Sequence, residues 1–530
     1  MSESAFSARR CLTTGLMLGL VSLCMLLWVA VKPTLAGVNS DAAVYLLLAD
    51  WLSPWRASDI DFGAQLFAFY PFPPLYPLLL AALGGGSAMP SVNYSFDAFA
   101  QAVAVAASYC WARRIGCAVP GAVLAALSLA ITPIALFTAM GIFSEPLYLA
   151  LSMTALALVS GPQTSVRAWH VVALLLGLAA VTRGVGLFAA VALLLAWLSR
   201  TRGHQARLVP VLALAPTLVW QLIKASNGWQ GGYTNTFFAG GVLSVASALI
   251  AQLPINLHAL AYHFVRCFDS LNGRHSAIVL SVLLVPAGLC FAQRLRAGWT
   301  DAWYAALYLL VLLFWPYPNH FARFLLILLP LFCAYASQGV STMLARKNMR
   351  SLGALLAPGL MLLVLLPSCL QVVQNIAGAP DARERQHTRI SSWYGHDSLT
   401  EARTSTAFSL RVLDVMVDIA AQVPRDVCVS STMAEMFMLK GRRWARPPPG
   451  QRAALPELRA ALATCPYVLL LGATTSASGE FPRYYPANRL AGDLTTLLTV
   501  PLDASPAKHA SLAILARYHS PPASTEVGPQ

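Results

Sequence analysis

Charge is scarce in this chain of 530 residues: Asp, Glu, Lys and Arg make up 11% of it and hydrophobic residues 57%. A soluble domain carries roughly 25% charged residues, so the balance excludes an ordinary soluble enzyme and describes a polytopic membrane protein. Missing as well are a glycine-rich phosphate loop, a His/Cys spacing suited to a metal site and any internal repeat. Those absences argue against a P-loop nucleotide site, a metal cluster and the related halves of many transporters. The ten cysteines lack paired short spacings, and most fall in apolar runs, where a thiol behaves as a small hydrophobe. Only Cys428 and Cys465 lie together in the polar tail, where a disulfide is open if that tail faces an oxidising compartment. The net charge of +14 is spread as topology signals rather than gathered in a patch, so no nucleic-acid partner is implied.

What is present is a series of apolar runs. The first, 11–31, holds about 20 apolar residues, more than a usual signal-peptide core, and Thr34-Leu35-Ala36 is a weak cleavage site. It reads as a retained span. Others are expected at 96–111, 117–138, 144–159, 170–182, 184–198, 208–222, 276–291, 301–315, 321–336 and 352–373, giving about eleven crossings within a transmembrane domain over 1–375. With the N-terminus cytoplasmic, Arg9, Arg10, Arg113, Arg114, Arg167, Arg200, Arg202, Arg207, Arg294, Arg296, Arg346, Lys347 and Arg350 all fall in short inner segments, as the positive-inside rule requires. One tilted helix over 170–198 would put Arg200, Arg202 and Arg207 outside, so two short spans meeting at Arg183 fit better. An odd number of crossings then places residues 376–530 outside.

The long loops, 32–95 and 225–275, also face outward, and long loops on one side mark a working face. In the first, a helical stretch over 41–51 is followed by turn-forming residues 69–77 and an apolar run over 78–83 too short to span. Both apolar pieces suit interfacial helices, with Trp51, Trp55, Tyr70 and Tyr76 at headgroup depth. In the tail, segments 427–430, 434–439, 455–463 and 467–471 alternate in type, which predicts a small extracytoplasmic α/β domain with a short parallel sheet. Pro447-Pro448-Pro449 and the stretch from Ser520 read as loop or disorder.

Five segments, NSDAAVYLLLADWL, YPFPPLYPLLLAAL, FSEPLYLALSMTALAL, AAVTRGVGLFAAVALLLAWL and WPYPNHFARFLLILLPLF, follow one another in this order. In that order they resemble the polytopic glycosyltransferases of the GT-C fold, in the branch of protein O-mannosyltransferases and bacterial aminoarabinose transferases. The resemblance implies transfer of one sugar, with inversion, from a polyprenyl-phosphate donor to a lipid, glycan or protein acceptor. The reaction would lie at the outer face of a bacterial inner membrane. Related enzymes often carry Asp-Glu in the first motif, whereas here Ala42 follows Asp41, which leaves assistance by a divalent metal open; no metal ligands or cofactor are assigned.

The chemistry can be reasoned without the resemblance. A sugar phosphodiester already has a good leaving group, so the enzyme needs a base for the acceptor hydroxyl and cations for the departing phosphate. Asp41 is the candidate base. Tyr45 lies one turn on and shares its face, whereas Asp50 points about 180° round the helix. The bland alternative is that Asp41 only caps that helix. Asp50, Asp59 and Asp61 read as solvated loop acids. Glu145, in Ser144-Glu145-Pro146, either starts a helix or orients the acceptor or Arg183. Arg183 and Arg323 are candidate phosphate binders, because a guanidinium near the membrane is costly unless paired. For Arg323 the competing reading is snorkelling, and for Arg183 a structural pair with Glu145. In the resembled family an arginine in the position of Arg323 contacts the lipid phosphate. His263 and Arg266, in the solvated second loop with His258, Asp269, Asn272 and His275, are candidate donor contacts. Tyr317 and His320 flank the last outer turn and are candidates for the lipid-phosphate entrance. A flippase of lipid-linked sugars is the rival class, but it should place charges near the bilayer midplane. A membrane scaffold would leave the acidic first loop unexplained.

Overall fold

The computed structural model describes residues 3–30, 35, 39–57, 60–70, 72–161, 164–200, 206–229, 241–269, 273–315, 317–346, 348–377, 411–449, 454–474, 490–502 and 511–520. Asp59, Arg202, Asn272, Lys347 and the chain beyond His519-Ser520 lie outside them. The helices are α1 (Glu3–Ala30), α2 (Ser40–Leu52), α3 (Gly63–Phe69), α4 (Leu75–Ala82), α5 (Pro90–Arg114), α6 (Val119–Ile131), α7 (Pro133–Met140), α8 (Glu145–Val159), α9 (Val166–Ala180), α10 (Gly186–Arg200), α11 (Val209–Ser226), α12 (Gly241–Phe268), α13 (Arg274–Arg296), α14 (Thr300–Leu313), α15 (Phe321–Leu325), α16 (Leu329–Ala345) and α17 (Arg350–Ala377). Each of the expected spans falls on helix, but 117–138 is divided between α6 and α7, and 321–336 between α15 and α16. By length and composition alone, Arg9–Val29, Val209–Ser226, Arg274–Arg296 and Phe321–Ala345 are long and apolar enough to cross a membrane, and α6 with α7 makes a fifth if counted as one broken span. Five further apolar helices are shorter, so the count of eleven is not reached on those grounds. The chain is an α-helical membrane protein with a small sheet-containing tail.

The expected single span over 117–138 is two helices bent by 44°, and the cause is Pro133. Proline disfavours helical backbone in the residue before it, and Thr132 is extended, at φ −67° and ψ 148°. Proline also lacks the N–H that would bond the Leu129 carbonyl. Gln101 of α5 supplies the missing donor, reaching Leu129 O at 2.6 Å and Ala135 O at 3.0 Å.

Helices α8 and α10 each run from one end of this bundle to the other. At the end holding Val159 and Arg200, the basic residues expected to face inward are gathered. Arg200 donates to the Val159 and Gly161 carbonyls at 3.4 Å and lies 3.9 Å over the Trp299 ring. Arg114 donates to Ala157 O. Arg294 binds Asp301 through Nε and Nη2, at 2.7 and 2.9 Å. The residues expected as a second solvated loop are instead largely α12. Asn256 on it donates to the Leu312, Leu313 and Trp315 carbonyls at 3.2, 3.0 and 2.8 Å, closing the C-terminal end of α14, where helix carbonyls lack internal partners.

The tail begins, among the described residues, with a helix over 411–421, α18. It continues through β1 (Val429–Ser431), α19 (Ala434–Gly441), β2 (Ala445–Arg446), α20 (Leu455–Thr464), β3 (Tyr467–Thr474), β4 (Leu494–Pro501) and β5 (Ser511–Tyr518). The sheet order is β2-β1-β3-β5-β4. The expected parallel part is there, with Val429 beside Tyr467 and Ala445, but β5 and β4 add an antiparallel half. Cys428 and Cys465 form a disulfide, joining the lead-ins of the adjacent strands β1 and β3.

This tail packs onto the first outer loop, which changes the reading of that loop. Helix α2 is buried from Ala42 to Asp50, against α4 on one side and α19 on another. Tyr76 is fully buried, and Tyr70 donates to Glu435 at 2.7 Å, so both are packed within the protein. Leu78, Leu83 and Trp55 remain exposed, as an interfacial position for α4 requires. Asp61 is exposed, but Asp50 is not the solvated acid expected. It pairs with Arg56 at 3.3 Å and with Arg442 of the tail at 3.1 Å, and Ser87 donates to it through N at 3.0 Å and through Oγ. Gly86 is required beside it, since a Cβ there would lie 2.2 Å from Asp50 Oδ1. Replacing Asp50 by Ala takes the carboxylate from two partly buried guanidiniums, which keep Gly85 O and Ser87 Oγ as acceptors, and is expected to remove about 2 kcal/mol of local stability. Faster amide exchange in residues 434–446, with α8 unaffected, is the measurement that checks it.

Candidate active site

Asp41 stands in the first turn of α2. The helix is capped by Asn39, whose Oδ1 accepts from Ala42 N at 2.9 Å, so Asp41 is not the cap that its position allowed. Its side chain is 35% exposed and points to the ends of three other elements. Tyr45, one turn on, is aimed the same way and meets Ser144 Oγ at 3.1 Å. Its ring is fixed by Tyr76 and Phe72, at 4.9 and 5.3 Å between centroids.

Glu145 follows the tight turn between α7 and α8. Ile142 adopts φ 56° there, a costly conformation for a β-branched residue. Asp97 of α5 holds the turn by accepting from Phe143 N at 3.1 Å. The same carboxylate accepts from the Tyr76 hydroxyl at 2.9 Å, which links the floor of the first loop to the turn carrying Glu145. Gly141 allows the turn to close, since a Cβ there would lie 2.0 Å from the Phe143 ring.

Arg183 sits in the turn between α9 and α10, and Arg323 on α15, after the last outer turn. Arg323 Nη2 pairs with Asp41 Oδ2 at 2.7 Å and its Nε with Glu145 Oε1 at 3.1 Å. Arg183 Nη1 pairs with Glu145 Oε2 at 2.7 Å and donates to Ser144 Oγ at 3.1 Å. Glu145 is fully buried between the two guanidiniums. The rings of Phe143 and Phe324 lie 4.8 and 5.7 Å from Arg323, and Phe324 lies 5.5 Å from Arg183.

The result is an alternating row, Asp41, Arg323, Glu145, Arg183, at one end of helices that sequence separates by up to 282 residues, counted from Asp41 to Arg323 (323 − 41). Burial opposes the charge on Asp41, but the pairing with Arg323, helped by Arg183 and His320, outweighs it and holds the carboxyl below the usual range. Desolvation and the neighbouring Arg323 lower His320, against the pull of Asp41 and Glu145, and favour its neutral form.

Asp41, Tyr45, Glu145, Arg183 and Arg323 are thus brought together, with His320 at their rim. Tyr317 is exposed beside His320, at 6.1 Å between rings. For His263 and Arg266 the described contacts include Tyr262 of their own helix, and that helix packs against the turn and the α15 segment that carry His320 and Arg323. The sequence reading missed Ser144 as the junction between Tyr45 and Arg183, and it missed Asp97. An acid at the second position of the expected span 96–111 was the available signal for Asp97. Among the described residues, no group of three or more His, Cys, Asp or Glu side chains could hold a metal ion; Asp41 and Glu145 are bridged by Arg323 instead.

No family model and no curated protein matches the chain. Among solved structures it is similar to ArnT from Cupriavidus metallidurans bound to undecaprenyl phosphate, with 14% identity, a TM-score of 0.48 and 100% of both chains covered. It is also similar to the oligosaccharyltransferase AglB from Archaeoglobus fulgidus in complex with an inhibitory peptide and a dolichol-phosphate. There the identity is 13% and the TM-score 0.48, over 91% of this chain and 74% of that one. Both are membrane glycosyltransferases of the GT-C fold, which the five sequence motifs resemble.

Proposed function

We propose that the chain is an integral-membrane glycosyltransferase that moves a sugar from a polyprenyl-phosphate donor to an acceptor at the outer face of the cytoplasmic membrane. The observation that supports this best is the pairing of Asp41, a partly exposed carboxylate, with Arg323, itself held by buried Glu145. One group can take a proton and its neighbour can hold a phosphate. Asp41 takes the acceptor hydroxyl proton, and the acceptor oxygen bonds to C1 of the sugar from the face opposite the phosphate. The C1–O bond breaks, its electron pair leaving on the phosphate, whose charge Arg323 and Arg183 neutralise. The configuration at C1 inverts. Tyr45 and Ser144 keep Arg183 aimed at the site, and His320 and Tyr317 line the entrance. The basic cluster around Arg114, Arg200 and Arg294, at the far end of α8 and α10, supports an inner-face position for that end and hence an outer position for Asp41 and the tail. No step is assigned to His263 or Arg266.

The test supplies the full chain in lipid vesicles with radiolabelled polyprenyl-phosphate sugars and cell-envelope extract. Label reaching an acceptor supports the reading. Label crossing the bilayer without transfer would favour a flippase. Arg323→Ala is expected to weaken donor binding by about 10- to 100-fold, the worth of one charge-assisted contact. Unchanged donor affinity in that variant would remove Arg323 from the phosphate site.

A further inference from the structure

The row of charges is already balanced: two carboxylates meet two guanidiniums. Arg323 is held at Nε by buried Glu145 and at Nη2 by Asp41, and the Phe143 and Phe324 rings lie against its guanidinium. Arg183 is likewise taken up by Glu145, Ser144 and the Phe324 ring. An anion arriving from outside therefore meets no unclaimed cation among these groups. Of the two carboxylates, Glu145 is fully buried and Asp41 is 35% exposed. Asp41 alone can swing toward solvent without leaving a buried charge unpaired.

We infer that Asp41 and the donor's phosphate compete for the same edge of Arg323, so that Asp41 is released to act as a base only when the lipid phosphate has taken its place. This rests on the reading of the site as a glycosyltransferase centre. A carboxylate paired to a guanidinium is a weak base, and the depressed titration of Asp41 in the ligand-free site is consistent with that. Moving Arg323 onto the phosphate removes the partner that weakens Asp41, while the phosphate's own negative charge nearby raises its affinity for a proton further. Acceptor activation is thereby tied to an occupied donor site, and donor binding precedes productive deprotonation of the acceptor. The exchange also keeps the net charge at Arg323 constant, one anion leaving the guanidinium as another arrives.

The experiment measures binding of a sugar-free polyprenyl phosphate to the full chain in lipid nanodiscs. It compares wild type, Asp41→Asn, Arg323→Ala and the double variant. Asp41→Asn removes the competitor while keeping its size and is expected to bind about tenfold tighter than wild type. In the Arg323→Ala background the same change should shift affinity by less than about twofold, because the contested edge is gone. Equal or weaker binding by Asp41→Asn, with wild type binding, would overturn the competition while leaving the glycosyltransferase reading in place. A tenfold gain that persists without Arg323 would show general repulsion of the phosphate by Asp41 and overturn it as well. No binding by any form overturns both.

Discussion

Asp41→Asn is expected to lower the turnover of sugar transfer by about 10²- to 10⁴-fold, the range that a positioned base contributes, while the protein still folds and still binds polyprenyl phosphate. The amide cannot take a proton from the acceptor hydroxyl, so the attacking oxygen must lose it unaided. Folding should be little affected because the helix cap is Asn39 rather than Asp41 and the side chain is partly solvated. Single-turnover transfer with saturating donor is the suitable measurement, since it separates the chemical step from product release. Wild-type turnover in Asp41→Asn would sink the assignment of Asp41 as the base. A loss of turnover accompanied by loss of phosphate binding would instead point to a misfolded site.

Much of this site was legible in the sequence because its members lie at the ends of expected spans. A span boundary fixes depth, and the alternating direction of spans fixes the side. Asp41, Glu145, Arg183 and Arg323 all fell at outward boundaries in that reading, and the structure gathers them at one end of the bundle. Depth does not fix azimuth, however. His263 and Arg266 were placed at a similar level, yet the pairs that build the row do not include them. The Pro133 break was legible, since a proline inside a run removes the donor for the carbonyl four residues back, but the run was read by hydropathy alone; its repair by Gln101 was not legible, because Gln101 looked like one more residue of a span. Asp50 was misread because two of its partners, Ser87 and Arg442, are 37 and 392 residues away, beyond the reach of any local pattern; Arg56, six residues on, was the one local signal. In the tail, β3 opens on the continuous apolar run Tyr467–Leu471 and was found with β1, whereas β4, with Thr495, Thr496 and Thr499 among its leucines, lacks such a run, and the apolar run of β5 was overlooked.

Glu145 tests the other half of the row, and its removal should act on stability where Asp41→Asn acts on chemistry. The two carboxylates share one partner, Arg323, but Glu145 is fully buried and holds Arg183 as well. Glu145→Ala would leave the nearly buried Arg183 without a carboxylate and its neighbour Arg323 with Asp41 alone, a change expected to cost about 3–5 kcal/mol. Glu145→Gln keeps the shape and one acceptor oxygen but not the charge, so it should fall between alanine and wild type. The unfolding midpoints of the three forms in matched lipid, with Asp41→Asn alongside, give the comparison. The expected order is wild type close to Asp41→Asn, then Glu145→Gln, then Glu145→Ala. Adding Arg183→Leu to Glu145→Ala should recover part of the loss, because it takes away the guanidinium left without a carboxylate. If Glu145→Ala unfolds at the wild-type midpoint, the buried carboxylate does not hold the arginines, and the preorganisation of Arg323 for a phosphate loses its physical basis. If the loss appears and Arg183→Leu recovers part of it, the carboxylate that shapes the site and the carboxylate proposed to act in it are separable, the first by stability and the second by turnover.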